Sequence, residues 1–207
     1  MNSRKWIIAH RGDHSRAAEN SIEAFHDAIA AGADMIEFDV RRLSGGSLIV
    51  SHDPPPEGMR VPLFSEVLQL CAGRILLDIE LKDFTCEDEV LGALSAARLN
   101  AGEYILTSFD AAQLRRIREK HPSVRTGLLT EALSMQALDL AGSTYLAPES
   151  STLSPAALDD LKNSGIQLLP WTVNATADLE RLLMAPAVAG VITDCVQEAL
   201  AIRRGVA

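Results

Sequence analysis

Two short stretches carry acids where a strand packed inside a barrel would carry greasy residues. In Met35-Ile36-Glu37-Phe38-Asp39-Val40 the apolar positions and the acids Glu37 and Asp39 separate onto opposite faces, because strand side chains alternate. Leu77-Asp78-Ile79-Glu80-Leu81-Lys82 repeats the pattern with Asp78, Glu80 and Lys82 together. Strands flanked by helices bury their apolar side against those helices, which forces the acids inward. Isolated carboxylates there cost several kcal/mol unless compensated, for instance by a hard metal ion.

Apolar clusters and helical periodicity alternate along the whole chain. Strands are expected near 5–9, 34–40, 75–81, 104–108, 125–129, 144–147, 167–173 and 189–193, with helices near 20–31, 63–72, 86–99, 110–120, 131–141, 154–164, 175–185 and 196–204. Asn20-Ser21-Ile22-Glu23 reads as a capping box, and Ser154-Pro155 as a cap followed by proline in the first turn. Eight such units without a break in composition predict an α/β fold, a single-domain (β/α)8 TIM barrel over residues 1–207. An open doubly wound sheet is the alternative, but no glycine-rich phosphate turn follows the first strand.

One segment departs from the plain repeat. Arg41 to Gly46 is too short for a crossover helix, and Gly45-Gly46 suits a hairpin turn. The second strand should therefore run on above the barrel, reverse, and return His52 to the mouth beside Asp39.

Barrel enzymes work at the C-terminal ends of their strands. His10 and Arg11 follow the first strand at once, Glu37, Asp39 and Glu80 reach the same rim, and Lys82 closes the third strand. A lone histidine there is usually structural, and the acids could simply pair with Arg11 and Lys82; two histidines converging with three acids favour chemistry. Oxygen ligands select Mg²⁺ or Ca²⁺ over zinc, and such an ion beside an arginine implies a phosphate. Two histidines would then share general-base and general-acid roles at a phosphodiester. Trp171 is either core or an apolar wall for substrate. Asn20 is explained by capping, although its amide could also reach an anion. Asp194 reads as a helix cap, His26 and His121 as surface residues, and Asp13 and His14 as neighbours of the mouth without an assigned role.

Composition limits the partners. A net charge of −9 with 4% aromatic residues argues against nucleic acid and anionic membrane. No apolar run is long enough for a membrane span, and the first strand starts too early to leave room for a signal peptide. Cys71, Cys86 and Cys195 lack metal-ligand or disulfide-exchange spacing and read as reduced thiols, pointing to the cytoplasm.

Taken in order, His10-Arg11-Gly12, Glu19-Asn20-Ser21, Gly32 to Val40, His52-Asp53, Ile79 to Lys82, Trp171 to Asn174 and Gly190 to Asp194 resemble the glycerophosphodiester phosphodiesterase family nearly end to end. That resemblance implies a TIM barrel that hydrolyses a small phosphodiester to sn-glycerol 3-phosphate and an alcohol. It implies His10 and His52 as the acid/base pair, Arg11 and Lys82 at the phosphate, and Glu37, Asp39 and Glu80 holding Mg²⁺ or Ca²⁺. Lipid-headgroup cleavage and phosphate binding without turnover are the alternatives. The chain departs from the family pattern at Ala18 and Val196, where prolines are usual, and at Asp53 to Arg60, where a cap insertion is cut to a proline-rich loop. A mouth so opened could be closed by a second subunit, so a homo-oligomer is compatible with it.

Overall fold

The computed structural model describes residues 4–133, 139 and 142–206. Its strands are β1 (Trp6–His10), β2 (Met35–Arg42), β3 (Leu48–Val50), β4 (Leu76–Leu81), β5 (Tyr104–Ser108), β6 (Arg125–Thr130), β7 (Tyr145–Pro148), β8 (Gln167–Leu168) and β9 (Gly190–Thr193). The helices are α1 (Ile22–Ala31), α2 (Phe64–Cys71), α3 (Glu87–Ala96), α4 (Ala111–Lys120), α5 (Pro155–Leu161), α6 (Thr176–Met184) and α7 (Val196–Val206). Most of the helix expected over 131–141 lies outside the described residues.

Parallel pairing runs β8-β7-β6-β5-β4-β2-β1-β9, with β3 attached only to β2. Backbone bonds bring the ends together: Leu168 N–H donates to Ala187 O at 2.8 Å, Ala189 N–H to Leu168 O at 2.8 Å, and Val173 N–H to Ile192 O at 2.9 Å. The result is a nearly closed eight-strand barrel with helices between its strands. The strand expected over 167–173 is regular only at Gln167–Leu168. Pro170 has no N–H to give the ladder, which resumes at a bridge between Trp171 and Glu149.

Two apolar layers follow from strand alternation. Ile36, Phe38, Val40, Leu77 and Ile79 face outward and pack with helix residues such as Phe25 and Phe64. Ile8, Met35, Ile105, Leu129 and Ile192 fill the barrel interior. Met35 thus shares the face of Glu37 and Asp39 and sits beneath them, so that face is apolar low in the barrel and acidic at its mouth.

The hairpin forms as the glycines require. Val40 pairs with Val50 and Arg42 with Leu48 in antiparallel register, and Gly46 takes a left-handed φ of 84° in the turn. Ser51 N–H then donates to Asp39 O at 3.0 Å, which sets His52 at the rim. The N-cap of α1 is Ser21, not Asn20: Ser21 Oγ accepts from Ala24 N–H at 3.1 Å, and Asn20 lies one residue earlier with φ 56°. Ser154 caps α5 with Pro155 in the first turn, as expected.

Candidate active site

Register brings the acids together. Glu37 lies opposite Asp78, and Asp39 opposite Glu80, on adjacent strands β2 and β4. One oxygen each from Glu37, Asp39 and Glu80 lies within 4.8 Å of the others. Asp78, two residues before Glu80 on the same face of β4, is fully buried and accepts a 2.8 Å bond from Thr107 Oγ1.

Cations answer part of this charge. Lys82 Nζ is 2.8 Å from Glu80 Oε1 and 3.5 Å from Asp39 Oδ1. Arg11 Nε is 3.3 Å from Asp39 Oδ2, and its Nη1 bonds Glu19 Oε1 at 2.8 Å. Burial works against the Arg11 charge, but Asp39, Glu19 and Glu37 outweigh it and hold its pKa above the ordinary value. Among the described residues Glu37 receives only the Arg11 backbone N–H, at 3.1 Å, with His10 Nε2 4.0 Å away. Burial, then the charges of Asp39, Glu80 and Asp78, push the Glu37 pKa well up. Burial and Asp39 likewise raise Glu80, and burial lifts Asp78 to about 7.

These residues fit a hard divalent cation. Asp39 Oδ1 is buried without a hydrogen bond among the described residues, and three carboxylates share two side-chain cations at close range. Removing the remaining excess negative charge from water is costly unless more positive charge enters. An all-oxygen donor set suits Mg²⁺ or Ca²⁺.

His10 is held from behind. Its Nδ1 lies 2.7 Å from Asp194 Oδ1, which His14 Nε2 also approaches at 3.0 Å, while Asn174 Nδ2 donates to Asp194 Oδ2 at 2.6 Å. Burial opposes ionisation of Asp194, yet the bonds from His10, Asn174 and His14 prevail and take its pKa well below the usual carboxylate range. An ionised carboxylate only accepts, so His10 donates to it from Nδ1 and turns Nε2 toward Glu37 at the mouth.

Asp194 is therefore not the cap its sequence position suggested; the N–H of Cys195 is taken by Thr193 Oγ1 at 2.9 Å. Asn20 also has another task, since its buried amide donates to Asp39 Oδ2 at 2.8 Å. His52 lines the same cavity, with Nδ1 3.2 Å from Asp53 Oδ1. His26 and His121 are exposed, as expected.

A cavity of about 210 Å³ is lined by His10, Arg11, Glu37, His52, Lys82 and Trp171, among others. Trp171 is half-buried: Nε1 donates to Ala147 O at 2.7 Å, and the ring meets Phe109 edge-on at 5.8 Å. It is the cavity's wall. Seven of the nine predicted site residues line this cavity, while Asp39 is fully buried behind them against Arg11 and Lys82 and Asn20 stands behind Asp39.

A barrel mouth with convergent acids, two imidazoles and two cations defines a hydrolase of the phosphodiesterase class. The model of the glycerophosphoryl diester phosphodiesterase family matches residues 10–61 and 55–198, and the chain belongs to that family. The two matched segments overlap over residues 55–61, in the loop before α2.

A glycerophosphodiester phosphodiesterase of Caldanaerobacter subterraneus is 29% identical over 91% of this chain and 93% of its own. That alignment runs over 234 positions against a chain of 207 residues, so the relative has residues that this chain lacks. A glycerophosphodiester phosphodiesterase structure from Parabacteroides distasonis superposes with a TM-score of 0.86 at 23% identity, covering 98% of both chains. An Oleispira antarctica phosphodiesterase, solved with the product sn-glycerol-3-phosphate, gives 0.83 at 19% identity over 95% of this chain and 96% of its own.

Proposed function

We propose that this chain is a metal-dependent phosphodiesterase that hydrolyses a small glycerophosphodiester to sn-glycerol 3-phosphate and an alcohol. The observation carrying the reading is the convergence of Glu37, Asp39 and Glu80, with one buried Asp39 oxygen unbonded among the described residues and His10 beside Glu37. Glu37, Asp39 and Glu80 would hold Mg²⁺ or Ca²⁺, whose contribution is Lewis-acid polarisation of a phosphoryl oxygen.

Arg11 and Lys82 border the cavity and bind the diester's negative oxygens, Arg11 through its fork and Lys82 as a point charge. His10 Nε2 takes the proton from the attacking water as its oxygen bonds to phosphorus. His52 gives a proton to the alkoxide as the bond from phosphorus to the leaving oxygen breaks. This division supplies one proton acceptor and one donor, as cleavage of a poor leaving group demands. Asp194 keeps the His10 ring in its reactive tautomer. Cys71, Cys86 and Cys195 are free thiols, the first two buried, which supports a reducing, cytoplasmic setting. Among the described residues no helix is long and apolar enough to cross a membrane.

Phosphorus NMR of a glycerophosphodiester incubated with the protein tests the reading. Appearance of sn-glycerol 3-phosphate, abolished by chelator and restored by Mg²⁺ or Ca²⁺, is the expected result. Undiminished turnover after complete removal of divalent ions defeats the metal role.

A further inference from the structure

His14 takes no part in the reaction described above, yet it stands against the carboxylate that holds His10. His14 Nε2 and His10 Nδ1 lie 3.0 Å and 2.7 Å from the same atom, Asp194 Oδ1. Orienting His10 needs only Asp194, so the second imidazole calls for another explanation. Each of the three side chains offers one donor atom within 4.8 Å of the others. Two imidazoles and a carboxylate make a mixed nitrogen and oxygen set, which suits a borderline divalent ion such as Zn²⁺. Glu37, Asp39 and Glu80 offer only oxygen. His10 lies between the two clusters, with Nδ1 toward Asp194 and Nε2 4.0 Å from Glu37.

Little movement would complete the mixed site. Zinc bound tetrahedrally at about 2.0–2.1 Å sets its ligand atoms about 3.3–3.4 Å apart. The 2.7 Å and 3.0 Å contacts would therefore open by only ~0.3–0.7 Å. Asn174 holds the carboxylate from behind, its Nδ2 donating to Asp194 Oδ2 at 2.6 Å and its Oδ1 accepting the Asp194 N–H at 2.9 Å. Bonds of that kind aim a ligand and strengthen metal binding. The side chains of His10, His14 and Asp194 are 20%, 27% and 30% exposed, which leaves an ion a way in and a water room to complete the coordination.

We propose that His10, His14 and Asp194 form a second metal site, which takes Zn²⁺ or a similar borderline ion and stops the reaction. A neutral imidazole that gives one nitrogen to a metal keeps its proton on the other. With the ion on Nδ1, the Nδ1 proton leaves to water and Nε2 takes one up, so the ring's charge is unchanged. Nε2 is then closed to the proton of the attacking water. Binding of the ion stands on the cluster alone; its inhibitory effect rests on the phosphodiesterase reading.

Two measurements test this: turnover of a glycerophosphodiester at saturating Mg²⁺ against free Zn²⁺, and Zn²⁺ calorimetry of the Mg²⁺-saturated protein. Turnover should fall as Zn²⁺ binds, with no relief from further Mg²⁺. His14→Gln keeps a donor to Asp194 and removes a ligand. It should weaken Zn²⁺ binding and inhibition by at least the roughly 10- to 100-fold that losing a ligand's supporting bond already costs. Each protein is compared with its own zinc-free rate, so a change in basal turnover does not enter. Inhibition equal in His14→Gln, or relieved as Mg²⁺ rises, overturns the site by placing the zinc elsewhere. Zinc bound through His14 with turnover intact overturns the inhibition. If no glycerophosphodiester turns over in zinc-free buffer, the phosphodiesterase reading fails and calorimetry decides alone. Binding weakened in His14→Gln then upholds the metal site, and no binding, or binding unchanged in the variant, overturns it.

Discussion

Single side chains set the chemistry at this mouth. His10→Ala or His52→Ala should lower turnover by roughly 10²–10⁴-fold with the barrel still folded, the usual loss for a general acid or base. Steady-state kinetics beside circular dichroism checks this, and near-normal turnover removes that histidine from the mechanism. Asp194→Ala should cost about as much through kcat, since His10 loses the carboxylate 2.7 Å from its Nδ1. Unchanged kcat would make Asp194 a bystander. Glu37, Asp39, Glu80 and Lys82 were legible from strand alternation, and His10 and Arg11 from their place just after the first strand. Asp194 and Asn20 were misread because local spacing offers a cap at each position. Both instead bond to residues far along the chain, 184 and 19 positions away. The usable signal for Asp194 was its place after the last strand, the same rule that placed His10.

Short elements carry these side chains to the mouth. Gly12 joins β1 to α1 at φ 86°, and an added Cβ would come within 2.8 Å of the Ala24 backbone. Gly12→Ala should therefore destabilise by about 1–3 kcal/mol through overpacking, with left-handed strain added. Because Asp13 N–H bonds Ala24 O across the same contact, the Arg11 loop should shift and kcat should fall with it. Thermal melts and kinetics of the variant check both, and a wild-type melting temperature contradicts the crowding argument. The β2–β3 hairpin was predictable from Gly45-Gly46 and the six-residue gap. The interruption of the strand at 167–173 was visible only as Pro170. Its rescue by Trp171 pairing with Glu149 depends on a strand distant in sequence.

At the scale of the molecule, the acid cluster makes stability depend on pH. Asp78 has a folded pKa of about 7, against roughly 3.9 for a free aspartate, and Glu37 and Glu80 are shifted in the same direction. The folded protein then holds protons that the unfolded chain releases. Stability without metal is greatest below about pH 4 for these groups and is lost as pH rises through about 7. Melting temperatures in chelator should fall between pH 5 and 8. Mg²⁺ or Ca²⁺ at about 100 times its Kd should restore about 5–10 °C at pH 8, and much less at pH 5 where the ligands hold protons. A metal response equal at both pH values contradicts ligation by these acids.

The amino-acid sequence determined the strand and helix alternation, the inward acids and the hairpin that returns His52, because each depends on side-chain period or turn geometry within a few residues. Tertiary structure alone decided that closing the barrel sets β9 beside β1, so that Asp194 meets His10. It also decided that the loop after β1 sets His14 against the same carboxylate. Both outcomes follow from which strands become neighbours in the ring, a long-range choice made by packing and leaving no local mark on the chain.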